Sequence, residues 1–145
     1  MIKPILVSIL LLFALAHGYA AANSGYEPSK VVYDISTGDP EELGHLLDRA
    51  ALLQDIYGND PFDASIVLVV HEDAIPHLVA TESGNALLRR ARDLVMGEVI
   101  EIRLCGASAR LQGYDASHFP SYVSIVPMAD AEIVQLQLQG YAYLR

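Results

Sequence analysis

Ala64-Ser65-Ile66-Val67-Leu68-Val69-Val70 is the stretch of sequence that decides the fold. From Ile66 onward every position is apolar, and most of the side chains are β-branched. A run that is apolar on both faces is typical of an interior strand of a parallel sheet, which helices cover on both sides. We therefore expect residues 64–70 to form a central strand of an α/β domain.

Strand-like and helix-like segments alternate along the rest of the chain. The predicted strands cover residues 30–36, 64–70, 98–104, 122–126 and 141–144, and the predicted helices cover 40–56, 73–80, 85–96, 106–112 and 130–139. This order, with helices long enough to serve as crossovers, favours a parallel or mostly parallel sheet between two helical layers. In such sheets ligands and reactive groups collect at the carboxyl ends of the strands.

The first helix has a clear start signal. Asp39 is a typical N-cap, Pro40 stands at the first helical position, and Glu42 occupies the capping-box position. The negative charges of these acidic residues would repel a phosphate group at the start of the helix. The sequence therefore disfavours a flavin site, whose phosphate would bind after the first strand.

The N-terminal segment has the pattern of an export signal. Lys3 supplies a positive charge, residues 4–16 are almost wholly apolar, and small residues follow at 18–22. The apolar run of about 13 residues is shorter than the roughly 20 that span a bilayer. We expect residues 1–22 to be a cleaved signal peptide, leaving one domain over residues 23–145, located in the periplasm and not held in a membrane.

The negative net charge of the chain disfavours two classes of binding partner. With 9 Lys and Arg against 18 Asp and Glu, the formal net charge is −9. Nucleic acids and anionic membrane surfaces are therefore poor partners, since both need local positive charge. Arg89, Arg90 and Arg92 do cluster, but their helical spacing beside Asp93 is typical of a solvated helix face.

Cys105 is the only cysteine of the chain. It lies where a predicted strand meets a Gly-Ala-Ser stretch that begins a helix, and backbone N–H groups at a helix start favour thiolate over thiol. A single cysteine has no internal disulfide partner. In an oxidising compartment it is buried and inert, paired with another molecule, or used chemically.

Four stretches in and around the predicted strands carry a resemblance to known proteins. They are Val31-Val32-Tyr33-Asp34-Ile35-Ser36, Val69-Val70-His71, Ile100-Glu101-Ile102-Arg103-Leu104-Cys105-Gly106-Ala107-Ser108 and Gln137-Leu138-Gln139-Gly140-Tyr141-Ala142-Tyr143-Leu144. Together they resemble the DsrE/DsrF-like sulfur-relay family, from about Lys30 to Leu144. One departure is Glu72, which stands where relatives often have glycine after the histidine, and its negative charge would oppose a nearby thiolate.

The resemblance implies a fold, an assembly and a chemistry. The fold is a three-layer α/β/α sandwich around a mainly parallel five-stranded sheet, in a flavodoxin-like arrangement, and the assembly is a trimer or hexamer. The chemistry is sulfur carried as a persulfide on a strand-end cysteine, which Cys105 matches. The partners implied are a sulfur donor and an acceptor protein.

Several residues are candidates to support Cys105. The N–H groups from Gly106 to Ser108 would stabilise the thiolate, Ser108 would donate a hydrogen bond, and Arg103 or Arg110 would supply positive charge. His71, at a strand end, is either a base or a structural histidine. His118, in the loop after the cysteine helix, would pair with the thiolate if it approached Cys105.

Other chemistries find little support in the sequence. There is no P-loop, no GxGxxG and no Gly-x-Ser-x-Gly elbow, and His71, Glu72 and His77 lack the spacing of a metal site, so we expect no cofactor and no metal. The alternative function is a non-catalytic, oligomeric binding module for a small ligand or a protein. Tyr114, Phe119 and Tyr122 would line a cleft or a subunit contact, or else anchor the core and a loop.

Overall fold

A computed structural model describes residues 25–80 and 85–145. The predicted signal peptide, residues 1–22, lies outside the described residues. Within the described ranges, no helix combines the length and the apolar character that a membrane crossing requires.

Helices and strands alternate through the domain as predicted. The strands are β1 (Ser29–Ile35), β2 (Ala64–Val70), β3 (Ile100–Cys105), β4 (Val123–Val126) and β5 (Ala142–Leu144). The α-helices are α1 (Pro40–Ile56), α2 (Ala86–Val95), α3 (Gly106–Leu111) and α4 (Ala129–Leu138), and 3-10 helices form at Glu72–Leu78 and Ala116–His118. Each predicted element is present.

The five strands form one sheet in the order β4-β3-β2-β1-β5, and every neighbouring pair is parallel. The α/β fold with a five-stranded parallel sheet is therefore confirmed, and β2 is the central strand, as the apolar run at 64–70 predicts. The order differs from the 2-1-3-4-5 order of flavodoxin itself. Here the chain steps in one direction from β1 to β4, and only β5 returns to the free edge of β1.

Helices cover the two faces of the sheet unequally. The larger core lies between the sheet and the side that carries α1 and α2, where Ile35, Ile66 and Leu104 are fully or almost fully buried. The second core lies under α4, which packs on β1 and β2. Its buried members are Val32, Val67, Val69, Cys105, Ala129, Ile133 and Leu136. Cys105 therefore lies on the α4 side of the sheet.

The loop between β1 and α1 is held by side-chain hydrogen bonds. The Asp39 carboxylate accepts a bond from the Glu41 N–H at 2.9 Å, and Pro40 begins the helix, so both start signals are confirmed. Glu42 does not close the expected capping box on the Asp39 backbone. Its carboxylate accepts a bond from the Thr37 hydroxyl at 2.6 Å, and Thr37 in turn accepts one from the Asp39 N–H at 3.1 Å.

Candidate functional site

Cys105 ends β3 and is the N-cap of α3. Its side chain is buried, with a residue exposure of 3%. The next residue, Gly106, allows the end of β4 to approach closely, since a Cβ there would lie 3.1 Å from the Val126 carbonyl oxygen and 3.2 Å from Ile125 Cγ2. A strand end, a glycine and a helix start thus place the thiol in a narrow space beside β4.

The sulfur of Cys105 accepts two backbone hydrogen bonds. The Ser108 N–H donates from the first turn of α3 at 3.4 Å, and the Ala129 N–H donates from the start of α4 at 3.3 Å. The first N–H groups of a helix have no partner within the helix and carry its positive partial charge. Two helix N-termini therefore converge on one sulfur atom.

These hydrogen bonds decide the pKa of the thiol. Burial raises the pKa of Cys105, but the Ser108 hydroxyl and the backbone N–H groups at the starts of α3 and α4 outweigh it, so the pKa lies below its ordinary value. A buried cysteine in apolar surroundings would instead have a raised pKa and be inert. Cys105 is therefore buried, and its thiol ionises more readily than an ordinary cysteine.

A second polar cluster lies on the same side of the sheet, at the ends of β1, β2 and β5. His71 Nε2 lies 2.6 Å from Asp34 Oδ1, and the Tyr143 hydroxyl donates to Asp34 Oδ2. The His71 side chain is only 13% exposed. The sequence analysis did not select Asp34 or Tyr143, although an acid between buried Tyr33 and Ile35 is a detectable signal.

Asp34 is the charged centre of this cluster. Burial raises the pKa of Asp34, but hydrogen bonds from Tyr143 and His71, together with the charges of His71 and Arg145, lower it more. The same contact with Asp34 raises the pKa of Tyr143. Asp34 is therefore an ionised carboxylate near neutral pH, and it orients the imidazole of His71.

His71 and Cys105 occupy equivalent places on neighbouring strands. Val70 of β2 pairs with Leu104 of β3, and each of the two residues comes directly after its member of that pair. Both lie on the α4 side of the sheet, because side chains alternate along a strand. No hydrogen bond between them is present among the described residues, so His71 is a neighbour of the thiol and not its bonded base.

Arg103 and Arg110, the two predicted sources of positive charge near the thiol, have different partners. Arg103 pairs with Glu101 at 2.7 Å and with Glu132 of α4. Burial lowers the pKa of Arg103, but these carboxylates raise it more, so its charge is compensated. The Arg110 guanidinium lies over Gly106, with Nη1 3.2 Å from the position of a Cβ there. Of the two arginines, Arg110 is therefore the one that lies beside Gly106, the residue next to Cys105.

His118 is not brought together with Cys105. Its Nδ1 accepts a hydrogen bond from the Asp115 N–H at 3.1 Å, and its ring packs edge-on against Tyr114. Neighbouring Phe119 belongs to the core on the opposite side of the sheet. His118 therefore does not form a thiolate–imidazolium pair with Cys105 in this structure, because the loop after α3 turns toward the α1 and α2 side.

The aromatic side chains after α3 have structural contacts. Tyr114 and Phe119 meet edge-on with their ring centroids 6.0 Å apart, and both contribute to the larger core. The Tyr122 hydroxyl donates to the Leu88 carbonyl at 2.9 Å and joins β4 to α2. These contacts favour the predicted role of core and loop anchors over that of lining a cleft or a subunit contact.

The residues considered as metal ligands have separate partners. His77 Nε2 lies 2.9 Å from the Gly38 carbonyl oxygen, whereas His71 bonds Asp34. Across residues 25–80 and 85–145, no group of three or more His, Cys, Asp or Glu side chains is arranged to hold a metal ion.

Glu72 adopts a backbone conformation that favours glycine. Its φ is 50°, in the left-handed region. Its carboxylate lies 3.9 Å from His71 Nδ1 and is 68% exposed. The largest influences on the pKa of Cys105 are its burial and the groups at the starts of α3 and α4, and the expected opposition from Glu72 is not one of them.

Comparison with known proteins places this geometry in a family. The model of the DsrE/DsrF-like family matches residues 30–145. MTH1491 from Methanobacterium thermoautotrophicum, a solved protein of unknown function, has a similar structure with a TM-score of 0.70 at 20% sequence identity; the match covers 81% of this chain and 98% of that chain. No curated protein matches the sequence. The matched segment includes every strand but the first residue of β1, and this chain therefore belongs to the DsrE/DsrF-like family.

Proposed function

We propose that this protein carries sulfane sulfur as a persulfide on Cys105 and delivers it to an acceptor protein. The observation that carries the proposal is the pair of helix N–H groups, from Ser108 and Ala129, that bond the sulfur and lower the pKa of the thiol. Membership of a family associated with sulfur relay supports it.

The chemistry requires no cofactor. The Cys105 thiolate attacks the outer sulfur of a donor such as a polysulfide or thiosulfate, the donor S–S bond breaks, and the shortened polysulfide or sulfite leaves with the electron pair. The product is a persulfide anion on Cys105. An acceptor thiolate then attacks the terminal sulfur, the new S–S bond forms, and Cys105 leaves as a thiolate. No net oxidant or reductant is consumed.

The buried position of Cys105 requires that the site open. The segment between β4 and α4 covers the sulfur, because Ala129 bonds it directly and the Pro127 carbonyl accepts a bond from the Ala107 N–H at 3.2 Å. Met128, between them, is 49% exposed. Displacement of this segment by a donor or acceptor protein would expose the sulfur while the Ser108 N–H stays in place.

The proposal also includes the location of the protein and its partners. The N-terminal signal pattern supports an exported, periplasmic protein, and family membership supports partners of a sulfur relay. We also propose that the chain assembles as a trimer or hexamer.

Intact-mass measurement tests the carrier function. The mature protein and its Cys105→Ser variant are incubated with polysulfide or thiosulfate. We expect a gain of sulfur mass on the wild type that a reductant removes, and no gain on the variant. A wild-type protein that gains no sulfur from polysulfide and none from thiosulfate would contradict the proposal.

One observation favours a second function. Cys105 is 3% exposed and contributes to the core under α4, as a purely structural cysteine would. In that case the domain is a non-catalytic module that binds a small ligand or a protein at its strand ends. Full resistance of Cys105 to alkylation in the folded protein, together with no gain of sulfur, would support this alternative.

A further inference from the structure

A cavity of about 370 Å³ lies at the carboxyl ends of β1 and β5, away from the thiol. The residues that line it include Asp34, Ser36, Glu42, Leu46, Arg49 and Arg145. Cys105 ends β3, and β2 stands between β3 and β1 in the sheet. The volume lies within the range of small-ligand pockets in proteins. Nothing in the sulfur-carrier chemistry accounts for this cavity.

The cavity has two guanidinium groups that form no ion pair with a carboxylate of the described residues. Arg49 lies over the ring of Tyr33, 5.6 Å from its centroid, which holds its side chain in place. Arg145 is close enough to Asp34 to lower the pKa of that carboxyl. The arginine ion pairs among the described residues involve Arg90, Arg92 and Arg103, and neither cavity arginine takes part in one.

The two acids of the cavity are already bonded within the protein. Glu42 accepts the hydroxyl of Thr37, and the two oxygens of Asp34 are bonded to His71 and Tyr143. A guanidinium that has no carboxylate partner forms strong, often bidentate hydrogen bonds to an oxoanion. The internal bonds of the acids therefore leave the arginine N–H groups as the donors available to a ligand.

We propose that this cavity binds a small oxoanion, with thiosulfate, sulfate or a carboxylate as candidates. Arg49 and Arg145 would bond the oxygens, the half-buried Ser36 would add a hydroxyl donor, and Leu46 would form an apolar wall. The carboxylates of Glu42 and Asp34 would weaken binding through charge repulsion. The proposal does not depend on persulfide formation, because no lining residue is the thiol.

Calorimetric titration of the Cys105→Ser protein tests the site without sulfur transfer. Thiosulfate, sulfate and acetate are titrated separately at low ionic strength, because salt screens exposed charges. We expect saturable binding of at least one anion. Arg49→Gln and Arg145→Gln should each weaken it roughly tenfold, as expected for loss of a charge-assisted bond.

Two further variants check the direction of the effect. Glu42→Gln should tighten binding, and Arg49→Lys should weaken it less than Arg49→Gln because it retains the charge. Arg92→Gln, which removes an arginine paired with Asp93 on α2, is the matched control and should leave the affinity unchanged. Thermal melting confirms that each variant is folded. Absence of saturable binding for all three anions, or equal loss in Arg92→Gln and Arg49→Gln, would overturn the proposal.

Discussion

The N–H of Ala129 donates a hydrogen bond to the sulfur of Cys105 at 3.3 Å, across 24 residues of sequence. It joins the end of β3 to the first turn of α4. The α4 N-terminus is the only long-range backbone donor to the sulfur among the described residues, since Ser108 belongs to the adjoining helix. The reactivity of the thiol should therefore depend on how α4 begins.

Replacement of Ala129 by proline tests this dependence. Proline has no N–H, and its Cδ would take the place of the hydrogen that points at the sulfur, so the substitution both removes the bond and moves the start of α4 away from the thiol. Met128 before it already has the extended conformation that proline requires. We expect Ala129→Pro to raise the pKa of Cys105, measured by thiolate absorbance as a function of pH.

A proline two positions later is the matched control. Ala131 lies exposed in the first turn of α4, and its N–H does not contact the sulfur. Ala131→Pro should leave the thiolate titration unchanged. Equal titration curves for Ala129→Pro and the wild type would show that this hydrogen bond does not control the thiol.

Ser108 should contribute through its side chain as well as its backbone. Its hydroxyl is the foremost of the groups that lower the pKa of Cys105. Ser108→Ala keeps the backbone donor and should raise the pKa, with slower alkylation by iodoacetamide at neutral pH. Ser121→Ala, at an exposed position before β4, is the control and should match the wild type. If both serine variants react at the wild-type rate, the hydroxyl has no such role.

Asp34 should make the domain sensitive to acid. Its pKa in the folded protein is below the ordinary value of about 4, so its contribution to stability is present above that pH and is lost as the pH falls through the folded pKa. The groups facing it are His71, Tyr143 and Arg145. Asp34→Asn should lower the free energy of unfolding by about 1–3 kcal/mol at pH 7, with a smaller difference from wild type near pH 3.

Urea unfolding at the two pH values measures this effect. Asp130→Asn removes an exposed carboxylate at the start of α4 and controls for the change in net charge. A difference between Asp34→Asn and wild type that stays constant from pH 7 to pH 3 would rule out the linkage.

Two glycines should differ in what they do for the thiol. Gly106→Ala would force a Cβ to 3.1 Å from the Val126 carbonyl oxygen, so we expect a loss of about 1–3 kcal/mol and an altered titration of Cys105. Gly113→Ala would strain a φ of 83° in open space, with a smaller loss of stability and an unchanged titration. Urea unfolding and thiolate absorbance separate the two cases. An unaltered Cys105 titration in Gly106→Ala would contradict the role of this close approach.

Local patterns in the sequence were sufficient to predict the elements of the fold. The apolar run of β2 predicted a central strand, and Asp39 with Pro40 predicted the start of α1. The strand order was not accessible in the same way, because periodicity describes one segment and not its neighbours. The region 73–80 became a 3-10 helix at Glu72–Leu78, within which Pro76 has no N–H to donate.

The candidate site was predicted where it is local in sequence and missed where it is not. Cys105, Gly106 and Ser108 are contiguous, so their helix-start geometry could be anticipated. Ala129 and Tyr143 join the polar groups only through the parallel order of the strands. The opposite held for His118: it is near Cys105 in sequence, but its loop packs on the other side of the sheet.

The most direct test of the account is the pH dependence of Cys105 alkylation in the native protein and in urea. Hydrogen bonds that stabilise the thiolate should shift the native midpoint to a lower pH than that of the unfolded chain. The account predicts a lower midpoint and alkylation in the native state that is faster than global unfolding. Alkylation only at the rate of unfolding, or equal midpoints in the two states, would contradict it.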